Sequence, residues 1–480
     1  MDAATGWREP NARRGAQARR ARGADHGTMS GVELEGRIYE RGDEGYERAR
    51  SAAVWNARTP ERYPDVVVVA ESEADVVWAV RRPGELEMKI GVRSGGHSWA
   101  GNHVRDGGML LDISRLNDVA IDAAGMTAAV GPGCHADEVL AELAEEDLFF
   151  PAGHCPGVGV GGYLLQGGFG WNGRVHGPAC MSVQALDLVT AAGEIVHASE
   201  DENSDLLWAA RGAGPGFFAV VTRFHVRLYA RPRFVANAVY LFPGDALEDV
   251  FRWLHEIGPR LARTLELNAF IHRDEQGEIE IAVAAPVLEA GEREAREALS
   301  VLEECPLLDR AKLSVPFVPG QMADLYAGAH AAYPDEHRYV ADNIWTHAPI
   351  EELLPGLRRI AETMPPAPSH LLWMNWGPGP TPAPERPEMA FSVEDDTYIA
   401  AYGVWQDPAE DEANVAWATE RMREMEHLAT GIQLADENLA NRPMRFVSEA
   451  NLARLDELRA RHDPQSRFHS WMGRPEGGVS

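Results

Sequence analysis

A histidine and a cysteine, each set in glycine-rich chain, are the residues best suited to chemistry in this sequence. The first segment is Arg93-Ser94-Gly95-Gly96-His97-Ser98, placed just after a predicted strand. Adjacent glycines let a backbone approach a ligand closely, and successive N–H groups in such a turn form a concavity suited to phosphate. Taken alone, these residues read equally well as a plain surface turn. The second segment runs His154-Cys155-Pro156-Gly157-Val158-Gly159-Val160-Gly161-Gly162-Tyr163 and continues to Gln166-Gly167-Gly168-Phe169-Gly170, with nine glycines between Gly153 and Gly173. Each glycine costs chain entropy, so such a run points to close backbone approach and not to ordinary packing.

Gly157, Gly159 and Gly162 satisfy G-x-G-x-x-G, yet the dinucleotide fold is rejected. Pro151 to Pro156 is loop chemistry where that motif needs a strand, and the next acidic residue, Asp187, falls on a predicted strand of its own. Cys155 could serve as a small buried hydrophobe. His154 beside it could suggest a metal, but no C-x-x-C pair or H-E-x-x-H occurs, so no metal site is expected.

The elements around these segments are short. Val66–Val69 is a β-branched run, and Ser72 and Asp75 open a helix at capping-box spacing. Met88–Arg93, Met109–Ile113 and Thr127–Val130 read as strands, and a helix starts near Ala136. Two strands flank the turn at Ala191-Ala192-Gly193, and another spans Phe218–Leu228. Many short strands between glycine turns predict an α+β fold over a doubly wound parallel sheet. From about Arg231 strands such as Glu278–Ala284 and Thr397–Trp405 alternate with acidic helices, and the proline-rich Gly377–Pro387 is a loop. A final helix, Leu452–Arg461, stops before Asp463-Pro464.

At 480 residues the chain exceeds what one growing core supports, so two domains are expected. The formal net charge of -29 repels phosphate backbones and anionic membranes, which leaves a small-molecule substrate as the expected partner and excludes nucleic acid. No apolar stretch approaches the roughly 20 residues that span a bilayer. Four cysteines suggest no disulfide framework, and a soluble, cytoplasmic protein is expected. Arg8 to Arg22 holds six arginines and few apolar residues, which predicts a disordered start; Met29 is a plausible alternative first residue.

Together the two glycine segments resemble the berberine-bridge-enzyme-like branch of the vanillyl-alcohol oxidase superfamily, which has a PCMH-type FAD-binding domain. Trp208-Ala209-Ala210-Arg211-Gly212 through Val220-Val221-Thr222, and Asp463-Pro464 to Phe468, are further matches in the same order. The likeness is strong over residues 60 to 230 and diffuse elsewhere. It implies FAD attached twice, through the 8α carbon to His97 and through C6 to Cys155. It also implies that Arg93, Ser94, Gly95, Gly96, Ser98, Val158, Gly161, Gly162, Gly168 and Val220 hold the cofactor. Val158 matches the position that gates O2 in relatives. The implied layout is an extension over 1–49, an FAD domain over 50–230, a substrate domain over 231–444 with an antiparallel sheet backed by helices, and a returning segment over 445–480.

The implied reaction is oxidation of a small alcohol, hemiacetal or secondary-metabolite hydroxyl, with hydride passing to flavin N5 and O2 reoxidising the flavin to give hydrogen peroxide. Departures put the base in question. The family's Tyr-x-Asn-Tyr-x-Asp segment corresponds to Gly431-Ile432-Gln433-Leu434-Ala435-Asp436, so Leu434 replaces the tyrosine that aids proton removal, and Phe169 replaces a second one. Tyr398 and Tyr402 share a face of one strand and, with Gln433, are the candidate catalytic residues. Trp373 and Asn375 share a face of a neighbouring strand and are the candidate substrate residues. An amine oxidase, or a flavin-binding protein with little turnover, are the alternatives.

Overall fold

Four successive valines make Val66–Val69 almost inevitably a strand, because branching at Cβ suits the pleat and crowds a helix. β1 (Arg37–Glu40), β2 (Val66–Val69), β3 (Ile90–Arg93) and β4 (Met109–Asp112) form a sheet ordered β1-β2-β4-β3, in which β2 and β3 run parallel to β4. Between β2 and β3 the helix Glu73–Arg81 starts as expected, with the Ser72 side chain accepting from the Asp75 N–H. The computed structural model describes residues 34–82 and 88–474.

β5 (Val119–Asp122) and β6 (Thr127–Val130) lead to a second sheet, while β7 (Leu148–Phe149) pairs elsewhere. β8 (Val183–Thr190), β9 (Ile195–Ser199) and β10 (Ala219–Arg227) complete the antiparallel order β5-β6-β10-β8-β9, and β11 (Tyr229–Ala230) joins β7. The third sheet has eight strands, all antiparallel. These are β12 (Phe234–Pro243), β13 (Leu267–Arg273), β14 (Ile279–Ala284), β15 (Val287–Glu289), β16 (Leu313–Gly320), β17 (Arg338–Thr346), β18 (His370–Asn375) and β19 (Thr397–Trp405). The helices Leu247–Ile257, Ile350–Thr363 and Asp411–Glu424 cover one face of it. The fold is α+β, with the helix-backed antiparallel sheet that the sequence predicts.

Two expectations change. Residues 1–49 were expected to be an unstructured extension, but β1 pairs with β2 from Arg37↔Val69 to Glu40↔Val66, and the helix Tyr46–Ala52 follows. Tyr46 is buried there and donates to the Pro64 carbonyl at 2.5 Å. The described residues belong to one compact unit starting at Leu34, and the arginine-rich start and Met29 lie outside the described residues.

The second change is on β18. Trp373 packs on the helix side of the sheet, its ring 5.2 Å from that of Phe251, and Asn375 lies against Gly258 at the end of the helix Leu247–Ile257. Neither therefore lines the large cavity beside this sheet. Leu372 and Met374 are on the opposite face. Every residue of β18 is buried, so no polar alternation marked which parity faced inward.

The loop after Thr430 is tied to β17 by a buried polar network. Asn343 accepts from the Gln433 N–H at 2.8 Å and donates to the carbonyls of Gln433 and Asp436 at 3.1 and 2.8 Å. The neighbouring Asp342 accepts from Arg442 Nε at 3.0 and 3.1 Å and from Asn438 at 2.9 Å. Asp342 and Arg442 are both almost fully buried. Asp342→Asn removes the buried counter-charge of the guanidinium and leaves only the half-exposed Glu426 at 3.7 Å, and we expect a loss of about 3–5 kcal/mol in a denaturant titration. A loss below about 1 kcal/mol would show that the pair is dispensable.

Candidate active site

β3 ends at Arg93, and the chain turns at once through Ser94 to Ser98. Arg93 does not reach outward. Its guanidinium donates to Asp112 at 2.9 and 3.2 Å and to the Gly95 carbonyl at 3.3 Å, which braces the turn. Gly95 lies backbone to backbone against Gly159 of the second glycine segment. A Cβ on Gly95 would meet the Gly159 nitrogen at 2.3 Å, and one on Gly159 would meet the Gly95 nitrogen at 2.4 Å. Only glycine fits at either place. Ser94 Oγ accepts from the Gly162 N–H at 3.1 Å, and a Cβ on Gly161 would fall 2.9 Å from that same oxygen. The helix Val160–Leu165 thus begins at the Ser94 turn, with ten residues between it and β7 and no strand leading directly into it, in keeping with rejection of the dinucleotide motif.

The two segments line one cavity of about 540 Å³. Arg93 to Ser98, Cys155, Val158, Gly161, Gly162 and Gly168 all reach it, as do Phe169, Tyr398, Tyr402 and Gln433. Val220 does not. Its side chain packs with the core under β2 and β4, while Ala219 and Val221 of the same strand line the cavity, as alternation along β10 requires. The backbone N–H groups of Gly95 to Ser98 donate to no backbone carbonyl among the described residues, and Gly96 sits at φ +76°. These groups fit an anion such as the FAD pyrophosphate.

His97 is stacked on Trp55, ring centroids 4.7 Å apart, and Trp55 stacks in turn on Tyr339. Burial pushes the His97 imidazole down to about 4, so at neutral pH it carries a free lone pair. Burial, aided by the charge of Asp436, pushes the Cys155 thiol up to about 12. The thiol, not the thiolate, is its resting form here.

Sequence reasoning missed the group at the centre of the polar wall. Asp436 accepts from Tyr402 Oη at 2.7 Å, from Trp99 Nε1 at 2.6 Å and from Tyr398 Oη. Burial raises its carboxyl above the usual range, although the three donors act in the opposite direction. Burial and then the adjacent carboxylate raise both phenols well above their ordinary value. Tyr398 and Tyr402 thus stand as neutral hydrogen-bond donors to Asp436. Gln433 lines the cavity, but an amide accepts no proton at working pH. Leu434 points away into the core against Gly214, so its apolar side chain is no gap in the site. The signal in the sequence was the acidic residue Asp436, which directly follows Ile432-Gln433-Leu434-Ala435.

Residues 64–199 match the family model for an FAD binding domain. The chain is 32% identical over 431 residues to the FAD-linked oxidoreductase nodO of Hypoxylon pulicicidum, covering 88% of this chain and 94% of the relative. It is 36% identical over 202 residues to the (R)-6-hydroxynicotine oxidase of Paenarthrobacter nicotinovorans, covering 42% and 43%. The solved structure of Physcomitrella patens BBE-like 1 superimposes with a TM-score of 0.80 at 20% identity, over 93% of this chain and 98% of the other. No helix among the described residues is long and apolar enough to cross a membrane. The likeness along most of its length, together with the matched cofactor domain, makes this chain an FAD-linked oxidoreductase, and its fold is that of the BBE-like 1 protein.

Proposed function

We propose that the protein is an oxidase of small alcohols, hemiacetals or secondary-metabolite hydroxyls, with FAD held by both His97 and Cys155 and with Asp436 as the base. The observation that carries this reading is the buried Asp436 carboxylate, facing the cavity and held by two phenols and an indole. When bound, FAD would supply a two-electron acceptor for the substrate hydride, to be reoxidised by O2 with release of hydrogen peroxide. The chain's own residues do the rest. Asp436 takes the hydroxyl proton as the C–H bond breaks, and its three donors keep the carboxylate aimed while it is charged. Phe169, Leu372 and Met374 supply apolar wall that excludes water beside it. None of the four cysteines pairs in a disulfide, which is in keeping with a reducing setting.

An amine substrate is the second reading. Trp99, Tyr333 and Tyr402 surround the carboxylate with rings 5.3 to 5.6 Å apart, an arrangement that also suits an ammonium group, and one relative is named a nicotine oxidase.

Asp436→Asn separates the two readings. With an alcohol that bleaches the wild-type flavin anaerobically, the variant should bleach about 10²–10⁴-fold more slowly. Bleaching by wild type should also fall as pH drops through the raised pKa of Asp436, because the base must be deprotonated. The variant should lack that limb. An unchanged alcohol rate would remove Asp436 as the base, and rapid bleaching by an amine alone, in both proteins, would favour the second reading.

Double attachment has its own test. Denatured wild-type protein should keep its yellow flavin, His97→Ala and Cys155→Ala singly should each keep it, and the double variant should release FAD into acid supernatant. Release from the wild type would disprove both links.

Val158 is partly buried on the cavity wall. If it leaves room for O2, Val158→Leu should slow reoxidation in air with little change in reduction by substrate. Overpacking there costs about 1–3 kcal/mol, so the comparison uses a variant with an unaltered flavin spectrum. Equal reoxidation rates would leave Val158 as packing.

A further inference from the structure

On adjacent strands of the five-stranded sheet, three side chains outside the cavity lining converge on one point. Asp187 is on β8, His197 on β9 and His225 on β10, and β8 lies between the other two. None of the three lines the FAD cavity. His197 Nδ1 lies 2.7 Å from Asp187 Oδ1, and His225 Nε2 lies 2.9 Å from Asp187 Oδ2. The carboxylate is therefore shared, one oxygen to each ring.

We propose that Asp187, His197 and His225 form a binding site for a Zn²⁺-like divalent cation, with water completing the coordination. The expectation of no metal site rested on sequence motifs, and this set has no motif because its members come from three strands. Two imidazoles and one carboxylate are the donor set of open zinc sites. One potential ligand atom from each residue lies within 4.8 Å of the others. A tetrahedral ion about 2.0–2.2 Å from each ligand sets them about 3.4 Å apart, between the present contacts and that outer limit. Side-chain movement of about an ångström is enough, on a sheet whose backbone register already holds all three.

Surrounding groups permit the exchange. Each ring now turns toward the carboxylate the nitrogen that would bind the ion, and its other nitrogen can carry the proton instead. Side-chain exposures of 45%, 30% and 34% for His197, Asp187 and His225 leave an approach open to water and ion. Arg223, whose Cα pairs with that of Asp187, makes no ion pair with it among the described residues. The net charge of -29 raises the local concentration of cations.

The site would clip β8, β9 and β10 together. Since Ala219, Val221 and Phe224 of β10 line the FAD cavity, the clip would stiffen a cavity wall without touching the reaction.

The test uses tag-free, flavin-loaded enzyme stripped with chelator. Calorimetric titration with ZnCl2 should show one equivalent bound per chain, with a higher melting temperature. Co²⁺ in its place should give the visible absorption of a four-coordinate site. His197→Ala and His225→Ala, each with an unaltered flavin spectrum, should lose at least about tenfold in Zn²⁺ affinity and lose the Co²⁺ band. Failure of wild type to bind, or binding unchanged in both variants, would overturn the proposal.

Discussion

Everything in the active site depends on the contact of Gly95 with Gly159. Two backbones meet there at a distance that leaves no room for a Cβ on either, and the contact joins the end of β3 to the start of the helix Val160–Leu165. His97 lies just beyond one glycine and Cys155 just before the other. Bringing the segments together by main chain, not by flexible side chains, is what lets two reactive groups from distant parts of the chain face one cavity with little freedom.

The opposite wall is held in a different way. Asp436 ends a single 3-10 turn, Leu434–Asp436, set in a loop whose backbone polar groups have no ladder to satisfy them. Asn343 substitutes for one by bonding Gln433 and Asp436 through their main chain, and the buried Asp342–Arg442 pair anchors the return of the loop. A buried ion pair is a weak source of stability but a demanding geometric constraint. Here it fixes where a buried carboxylate sits. Trp99 follows closely on His97 and reaches across to Asp436, so the cofactor loop and the polar wall are also tied directly.

Burial gives the titrating groups their character. The same low-polarity cavity lowers the His97 imidazole to about 4 and raises the Cys155 thiol to about 12. It raises the Asp436 carboxyl as well, and the phenols of Tyr398 and Tyr402 with it. In each case the neutral form is favoured, because a charge taken out of water loses hydration that the protein only partly replaces. Asp436 keeps the best claim to a working charge because three donors point at it.

Composition and local pattern determined the α+β class, the strands at Val66–Val69 and Thr397–Trp405, the cap at Ser72 and the two glycine segments. These follow from short-range chemistry: branching at Cβ, the need for glycine at close approach, and side-chain capping. Tertiary structure alone decided which face of a wholly buried strand looks at the cavity. It put Leu372 and Met374 there in place of Trp373 and Asn375, and Ala219 and Val221 in place of Val220. It alone revealed that Tyr398 and Tyr402 serve Asp436, and that Asp187, His197 and His225 meet. An alternating pattern shows facing only when one face is wet, and residues far apart in sequence show no spacing, so both facts wait on the packing of sheets and loops.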